Sequence, residues 1–376
     1  MQPAPNSPTT ALVLETNNLG GGDADPATVE RSLARLLARL RTQTRPLATL
    51  DDVIVVHAGI APAAQERLRD AAGCPVRFVK MGGERVGAPT LPLPNPPAML
   101  RGEQSSPASH AIDDAADDYY AAKDAGFAAT NAEVVVFADA DCWPEPDWLH
   151  ALLEPFAARA DVAAVAGRTT YRDGLFGAAA TAIDFMYFAS PLGPACTRNF
   201  YANNVAFRRG VLEAAGFGAH GFYRGSCQVL GLALQARGVP VHFAARAHTI
   251  HRLPDSFRDL VRLRLLRGAD AVELAPHLAR AYLPRGARWL ARLGPLSGLA
   301  VLAVRCACSL IALRQQRFSA VRGVRWFAGA ALVSAIHAAD AAGAAIRGLR
   351  LGLAPAARRA RVLAYHADVD RLAAAS

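Results

Sequence analysis

Short apolar runs alternate with segments of helical period through the first 80 residues. Ala11–Leu14 has the run expected of a buried strand. Residues 27–41 (ATVERSLARLLARLR) put apolar positions at helical spacing, with Arg on the other face. Asp51–Val56 reads as a second strand, 61–72 as a second helix, and Val76–Val79 as a third strand. This alternation predicts a parallel sheet flanked by helices. Residues 1–10 form a Pro-rich leader. Residues 81–112 hold six Pro and four Gly with no period, which predicts a long loop insertion. A helix over 113–130 and a strand at Val134–Ala138 resume the pattern. Strands at Val162–Val165, Asn204–Phe207 and Val239–Phe243 follow, with helices over 175–189, 227–237 and 256–267.

The strand at Val134–Ala138 runs directly into Asp139-Ala140-Asp141. Open α/β sheets bind ligands at the carboxyl ends of their strands. Two carboxylates two residues apart can converge on one hard divalent cation, Mg²⁺ or Mn²⁺, whose shell substrate phosphates complete. The plain alternative is a solvated turn. Gly20–Gly22 do not form the spaced glycine fingerprint of a dinucleotide site, and no Walker A sequence is present. A nucleotidyltransferase would want a Lys soon after a Gly-rich loop, and none follows Gly22.

The surroundings of the aspartates carry a resemblance. Tyr119-Tyr120-Ala121-Ala122-Lys123-Asp124-Ala125-Gly126 precedes the apolar strand, and Cys142-Trp143-Pro144 and Trp148-Leu149 follow the acidic pair. Together with Ala166-Gly167-Arg168, Asn203-Asn204 through Arg209, and the block from Ala247 to Arg252, this stretch resembles the family 2 glycosyltransferases of the GT-A fold. The resemblance spans residues 11–267. It implies an α/β fold with a GT-A-like, mostly parallel sheet flanked by helices. It also implies inverting, hexosyltransferase-like transfer from a nucleotide-diphosphate sugar to an acceptor hydroxyl. Asp139, Asp141 and His251 would hold the metal, Mg or Mn. Glu15, Asn17, Lys123 and Asp139 would bind the nucleotide-sugar.

Three departures bear on that reading. The first strand leads into Glu15-Thr16-Asn17-Asn18 where the family has Pro-x-Tyr/Phe-Asn, and the second ends in His57-Ala58-Gly59-Ile60 where acidic residues are usual. The third concerns the base. The family's Glu-Asp before the Leu-rich helix is replaced by Ser226-Cys227. A thiol is a poor carboxylate substitute, because its ordinary pKa lies near 8.5. A catalytic, covalent role for Cys227 or a structural one at the helix start, and Asp184, His220 or Asp255 as a substitute base, are the options left open. The alternative function is a non-catalytic GT-A-fold binding or scaffold protein that has lost its base.

The composition changes after Pro284. Residues 295–313 are apolar except for Arg305, and 326–346 carry His337 and Asp340. Both segments are long enough to cross a bilayer, yet each has a charge near its centre. From Arg285 onward there are 14 Arg and 3 Asp, so this end carries +11 of the net +9 and the rest sums to −2. Basic residues lie before, between and after the two segments, which fits helices lying on an anionic cytoplasmic leaflet better than a spanning hairpin. A soluble helical pair packed on the catalytic domain is the other option. Residues 285–376 are thus expected to form a helical, membrane-associating region. The acceptor expected there is a glycan or lipid-linked precursor at the inner face of the cell membrane. Nucleic acid is not an expected partner, since Arg is interleaved with Ala and Leu and not with stacking aromatics.

Composition narrows the class further. The 376 residues are 52% hydrophobic and 19% charged, which excludes a wholly disordered chain. Six Cys without a CxxC pair exclude a disulfide scaffold and a zinc knuckle, and favour reduced thiols in the cytoplasm. Residues 1–10 lack the basic start and apolar stretch of a signal peptide, which agrees with a cytoplasmic body.

Overall fold

Strand β1 (Thr10–Glu15) is buried along its whole length and forms the middle of the first half of the sheet. The computed structural model describes residues 8–17, 19, 24–81, 119–217, 225–282, 293, 296–316 and 321–353. Helix α1 (Pro26–Arg41) starts where the Asp25 carboxylate accepts the Thr28 N–H at 3.0 Å and Pro26 opens the first turn. Its apolar positions, Leu33, Leu36, Leu37 and Leu40, are buried against the sheet, as their spacing requires. Strand β2 (Asp52–His57), helix α2 (Pro62–Ala72) and strand β3 (Arg77–Lys80) complete the first units. Helical residues 119–128 (α3) then lead to β4 (Val134–Asp139). Gly126 lets α3 lie directly on Val13 and Val56, where a Cβ would collide with both side chains.

Strands β5 (Cys142–Pro144), β6 (Ala164–Tyr171), β7 (Cys196–Thr197), β8 (Asn204–Arg208) and β9 (Val241–His251) follow, with helices α4 (Trp148–Ala158), α5 (Leu175–Asp184), α6 (Arg209–Ala215) and α7 (Ser226–Ala236) among them. The strand order is β3-β2-β1-β4-β8-β6-β9-β5, with β7 also on β9. The parallel arrangement expected from the sequence holds from β3 to β4. Beyond β4 the sheet is mixed, because β8 runs antiparallel to both β4 and β6. Strand β5 falls where the sequence reads as a turn. Its Pro144 is tolerated because β5 ends the strand order and pairs on one side with β9. Strand β9 continues to His251, beyond the Phe243 expected. A register shift opposite Gly167 and Arg168 absorbs the extra residues.

Helices α8 (Phe257–Glu273), α9 (Ala275–Tyr282), α10 (Ser297–Gln315) and α11 (Arg325–Leu353) form the far side of the molecule. The last two are long and apolar enough to cross a membrane, and 33% and 39% of their apolar windows are buried. Their inward residues pack on α5, α7 and α8: Val301 and Leu302 meet Val229 and Val272, and Val333 and Ile336 meet Ala179 and Ile183. Helices α8 and α11 touch backbone to backbone, since a Cβ on Gly268 would strike the Asp340 carbonyl and one on Gly343 the Leu265 carbonyl. Outward lie Ile311, Phe327, Ile346 and Leu349, all exposed. The expected leader and the 81–112 insertion lie almost entirely outside the described residues, as do His220 and Asn18.

Candidate active site at the strand ends

Parallel pairing of β1 with β4 sets Glu15 beside Asp139, so two carboxylates meet at adjacent strand ends. Helix α3 supplies their countercharge. Lys123 Nζ lies 2.5 Å from Asp139 Oδ1, and the Tyr119 hydroxyl donates to Oδ2 at 2.9 Å. The Lys123 and Asp139 side chains are essentially closed to solvent. The Lys123-to-Gly126 block thus works as a unit: Gly126 brings the helix down on the sheet, and Lys123, one turn earlier, reaches the aspartate. Glu15 is fully buried, and among the described residues neither of its carboxylate oxygens finds a hydrogen-bond partner. Burial, then the Asp139 charge, pushes its pKa well above the ordinary value, with Lys123 offsetting part of the rise.

Asp141 turns to a different set of groups. Its Oδ1 lies 3.7 Å from His251 Nε2 and 3.9 Å from Cys142 Sγ. Its backbone carbonyl accepts the Arg252 N–H at 2.8 Å, which ties the turn after β4 to the end of β9. His251 Nδ1 sits 2.7 Å from the Arg252 carbonyl, and its ring packs on Tyr171 and Phe185. Burial, then Asp141 and Asp139, pushes the Cys142 thiol well above its usual value. The structure therefore brings Asp141 and His251 together, and gives Asp139 to Lys123 and Tyr119. Cys142, next to the acidic pair, adds a third donor atom at this spot that CxxC spacing does not flag.

A cleft is lined by Tyr119, Asp139 and His251 together with Cys227, Asp184, Arg267 and Arg305, whereas Glu15, Asp141 and Cys142 are not among its lining residues. Cys227 is the second residue of α7, and its backbone N–H donates to the Tyr120 hydroxyl at 3.4 Å. Burial raises its thiol pKa, and the Tyr120 hydrogen bond offsets part of the rise. Asp184 ends α5 and is wrapped by guanidinium groups. Arg264 Nη1 is 2.8 Å from Oδ1, Arg267 Nη1 also bonds Oδ1, and Arg305 Nη2 is 3.8 Å away. Burial alone would raise this carboxyl, but Arg264, then Arg267 and Arg305, hold it well below the carboxylate range. Asp255 is an exposed partner of Arg252 at 2.5 Å and is not among the cleft-lining residues. Asn17 sits in the turn after β1. Two further motif residues serve packing: Trp148 Nε1 donates to Asn204 Oδ1 at 2.8 Å, and Asn204 Nδ2 donates to the Arg168 and Ala247 carbonyls.

Comparison with known proteins bears on this site. No curated protein matches the chain. Among solved structures, the mannosyltransferase PcManGT from Pyrobaculum calidifontis, in complex with GDP-Man and Mn²⁺, is 18% identical, covering 92% of this chain and 88% of that one with a TM-score of 0.49. A mycobacterial protein is also 18% identical over 69% of this chain and 73% of its own, with a TM-score of 0.38. The glycosyl transferase family 2 model matches residues 113–215, a segment that holds α3, β4, the acidic pair and β8. Over residues 113–215 the chain is thus similar to the glycosyl transferase family 2 domain, the family its sequence resembles.

Proposed function

We propose that this chain is an inverting glycosyltransferase that moves a hexose from a nucleoside diphosphate sugar to an acceptor hydroxyl. The observation that carries the reading is the placement of Asp139 and Asp141 at the carboxyl end of β4, beside Glu15, within the segment matched by the family model. Lys123 and Tyr119 fix the Asp139 carboxylate, and Glu15 and Asn17 flank the nucleoside from the end of β1. The residues also fit a divalent cation. Asp141 Oδ1 and His251 Nε2 stand 3.7 Å apart, beyond hydrogen-bond range of each other, and a shared ion would bridge them. Asp141 and His251 would hold it, with Asp139 alongside. Such an ion, Mg²⁺ or Mn²⁺, supplies positive charge for the departing diphosphate.

The acceptor is read as entering past Cys227, the base slot of the resemblance. Neither Cys227 nor Asp184 is poised to take its proton, since one is a buried thiol pushed upward and the other is neutralised by arginines. That observation favours a second reading, a binding or scaffold protein that keeps the site and has lost transfer. The outward apolar residues of α10 and α11, with Arg314, Arg325 and Arg347 on the same helices, support docking at the inner face of an anionic membrane, where a glycan or lipid-linked acceptor resides.

The test is calorimetry with UDP-, GDP- and dTDP-sugars, with Mn²⁺ and with chelator, using Asp141→Ala as the control. Metal-dependent binding of one donor, lost in the variant, is the expected result. Hydrolysis or transfer of that donor then separates enzyme from scaffold. A folded protein that binds no donor in the panel overturns the transferase reading.

A further inference from the structure

Cys142 and His251 face each other across the antiparallel β5–β9 pair, so their side chains emerge on one face of the sheet. Asp141 precedes Cys142 and reaches the same spot. The carboxylate oxygen, the imidazole nitrogen and the thiol sulfur lie within 4.8 Å of one another, and all three residues are buried. The resemblance gives roles to Asp141 and His251 and none to the sulfur beside them.

The donor set and the two separations to Asp141 bear on which metal suits the group. A tetrahedral zinc ion with bonds of about 2.0–2.3 Å sets nitrogen and oxygen donors roughly 3.4 Å apart, and sulfur and oxygen roughly 3.6 Å apart. The observed 3.7 and 3.9 Å need a contraction of about 0.3 Å to match. An octahedral Mg²⁺ with bonds of about 2.1 Å needs neighbouring donors about 3.0 Å apart. It also takes oxygen ligands in preference to sulfur. The imidazole is oriented as metal-binding histidines are: Nδ1 lies 2.7 Å from the Arg252 carbonyl, to which it donates, so the Nε2 lone pair points at the group.

We propose that Cys142 Sγ joins Asp141 Oδ1 and His251 Nε2 in a buried three-donor site that selects a thiophilic divalent cation, Zn²⁺ or Cd²⁺, over Mg²⁺. This rests on the strand-end site of the proposed function and revises its metal, named there as Mg²⁺ or Mn²⁺. The thiol proton leaves to solvent as the metal–sulfur bond forms. A four-coordinate ion held by these three donors would keep one position for an outside oxygen.

The experiment uses the full chain stripped of metal by a chelator and titrated with Cd²⁺. The expected result is a sulfur-to-cadmium charge-transfer band that saturates at one ion per chain. Zn²⁺ removes the band, and a roughly 100-fold excess of Mg²⁺ leaves it. Cys142→Ser abolishes it. Cys196→Ser, which removes the thiol 3.8 Å from His242, does not. Should Cys142→Ser fail to fold, zinc-edge X-ray absorption on the wild-type protein decides, with one sulfur in the zinc shell expected. A band that survives Cys142→Ser, a zinc shell of nitrogen and oxygen alone, or displacement by equimolar Mg²⁺ overturns the proposal. Nucleotide-sugar binding is read separately. A cadmium–sulfur band with no donor binding leaves the three-donor site standing and removes the transferase reading, whereas donor binding without the band does the reverse.

Discussion

Two buried charge clusters reach one cleft, the first through Asp139 and His251 and the second through Asp184, Arg267 and Arg305, and they are built on different plans. At the strand ends, Glu15, Asp139 and Asp141 crowd together around Lys123, and burial and mutual repulsion push the Glu15 pKa upward. Among the helices, Asp184 and Asp340 are gripped by Arg264, which bonds both with separations of 2.8–3.1 Å, while Arg267 and Arg305 add further positive charge at Asp184. Ser309 and His337 extend this second cluster at 3.0 Å. The first cluster concentrates negative charge where a cation and a diphosphate would complete it. The second satisfies its carboxylates internally and joins α5, α8 and α11. A buried charge set that lacks balance suits a ligand site, and the closed Asp184–Arg264–Asp340 part of the second cluster suits a structural joint, while Arg267 and Arg305 line the cleft with Nε atoms that find no partner among the described residues.

The largest effect expected from this contrast is on stability. Arg264→Met leaves two buried carboxylates facing apolar surroundings and should cost about 3–5 kcal/mol in denaturant unfolding. Donor binding by the fraction that remains folded should persist. Replacing Arg264, Asp184 and Asp340 together by apolar residues of similar size should recover much of that loss. If Arg264→Met instead leaves stability unchanged and removes donor binding, the second cluster belongs to the site and the contrast fails.

Asp141→Asn tests the other side. Metal-dependent donor binding should weaken by at least about 100-fold, roughly 2.7 kcal/mol, in calorimetry. The melting temperature should hold or rise, because one of three crowded carboxylates is gone.

A smaller effect is expected at Glu15. Its folded pKa lies above the unfolded value, so its contribution to stability is fully present below the unfolded pKa and is lost as pH rises through the folded one. Glu15→Gln cannot ionise, and it should exceed wild type by about 1 kcal/mol at pH 8, with the gap closing toward pH 4. Chemical unfolding at the two pH values measures it, and a gap that widens at low pH contradicts the account.

The smallest effect lies at His248, on the edge of the same region. Burial, then Arg168, holds its pKa down at about 4, and Nε2 sits 2.8 Å from Thr170 Oγ1. A histidine depressed on folding contributes stability above its unfolded value near 6.5 and loses it as pH falls toward 4. The loss should be on the order of 1 kcal/mol after allowance for partial exposure. His248→Gln should flatten that part of the pH–stability curve.

Much of the strand-end cluster was legible in the sequence because its members sit at fixed offsets from strands and helices. Val134–Ala138 predicts a buried strand, and a strand that empties into Asp139-Ala140-Asp141 presents them at a sheet edge. The Lys123-to-Gly126 block was readable only through the family resemblance; that Gly126 seats the helix on Val13 and Val56 comes from the structure. The division of labour between the two aspartates was not readable. Alternation along the backbone does not say that Asp139 meets Lys123 while Asp141 meets His251 and Cys142. That follows from the β5–β9 pairing, and β5 was masked by its proline.

The helical cluster was legible only as a puzzle. Arg305, His337 and Asp340 stood out as polar residues inside apolar segments, where they argued against simple membrane spans. Their partners lie far away in sequence: Arg264 is 80 residues from Asp184 and 76 from Asp340. Local pattern thus determined the alternating elements, the acidic strand end and the apolar character of the last helices. It did so because period, propensity and turn chemistry act over a few residues. Tertiary structure decided which buried charges are paired, because pairing depends on which distant segments the sheet register and the glycine contacts at 268 and 343 bring together.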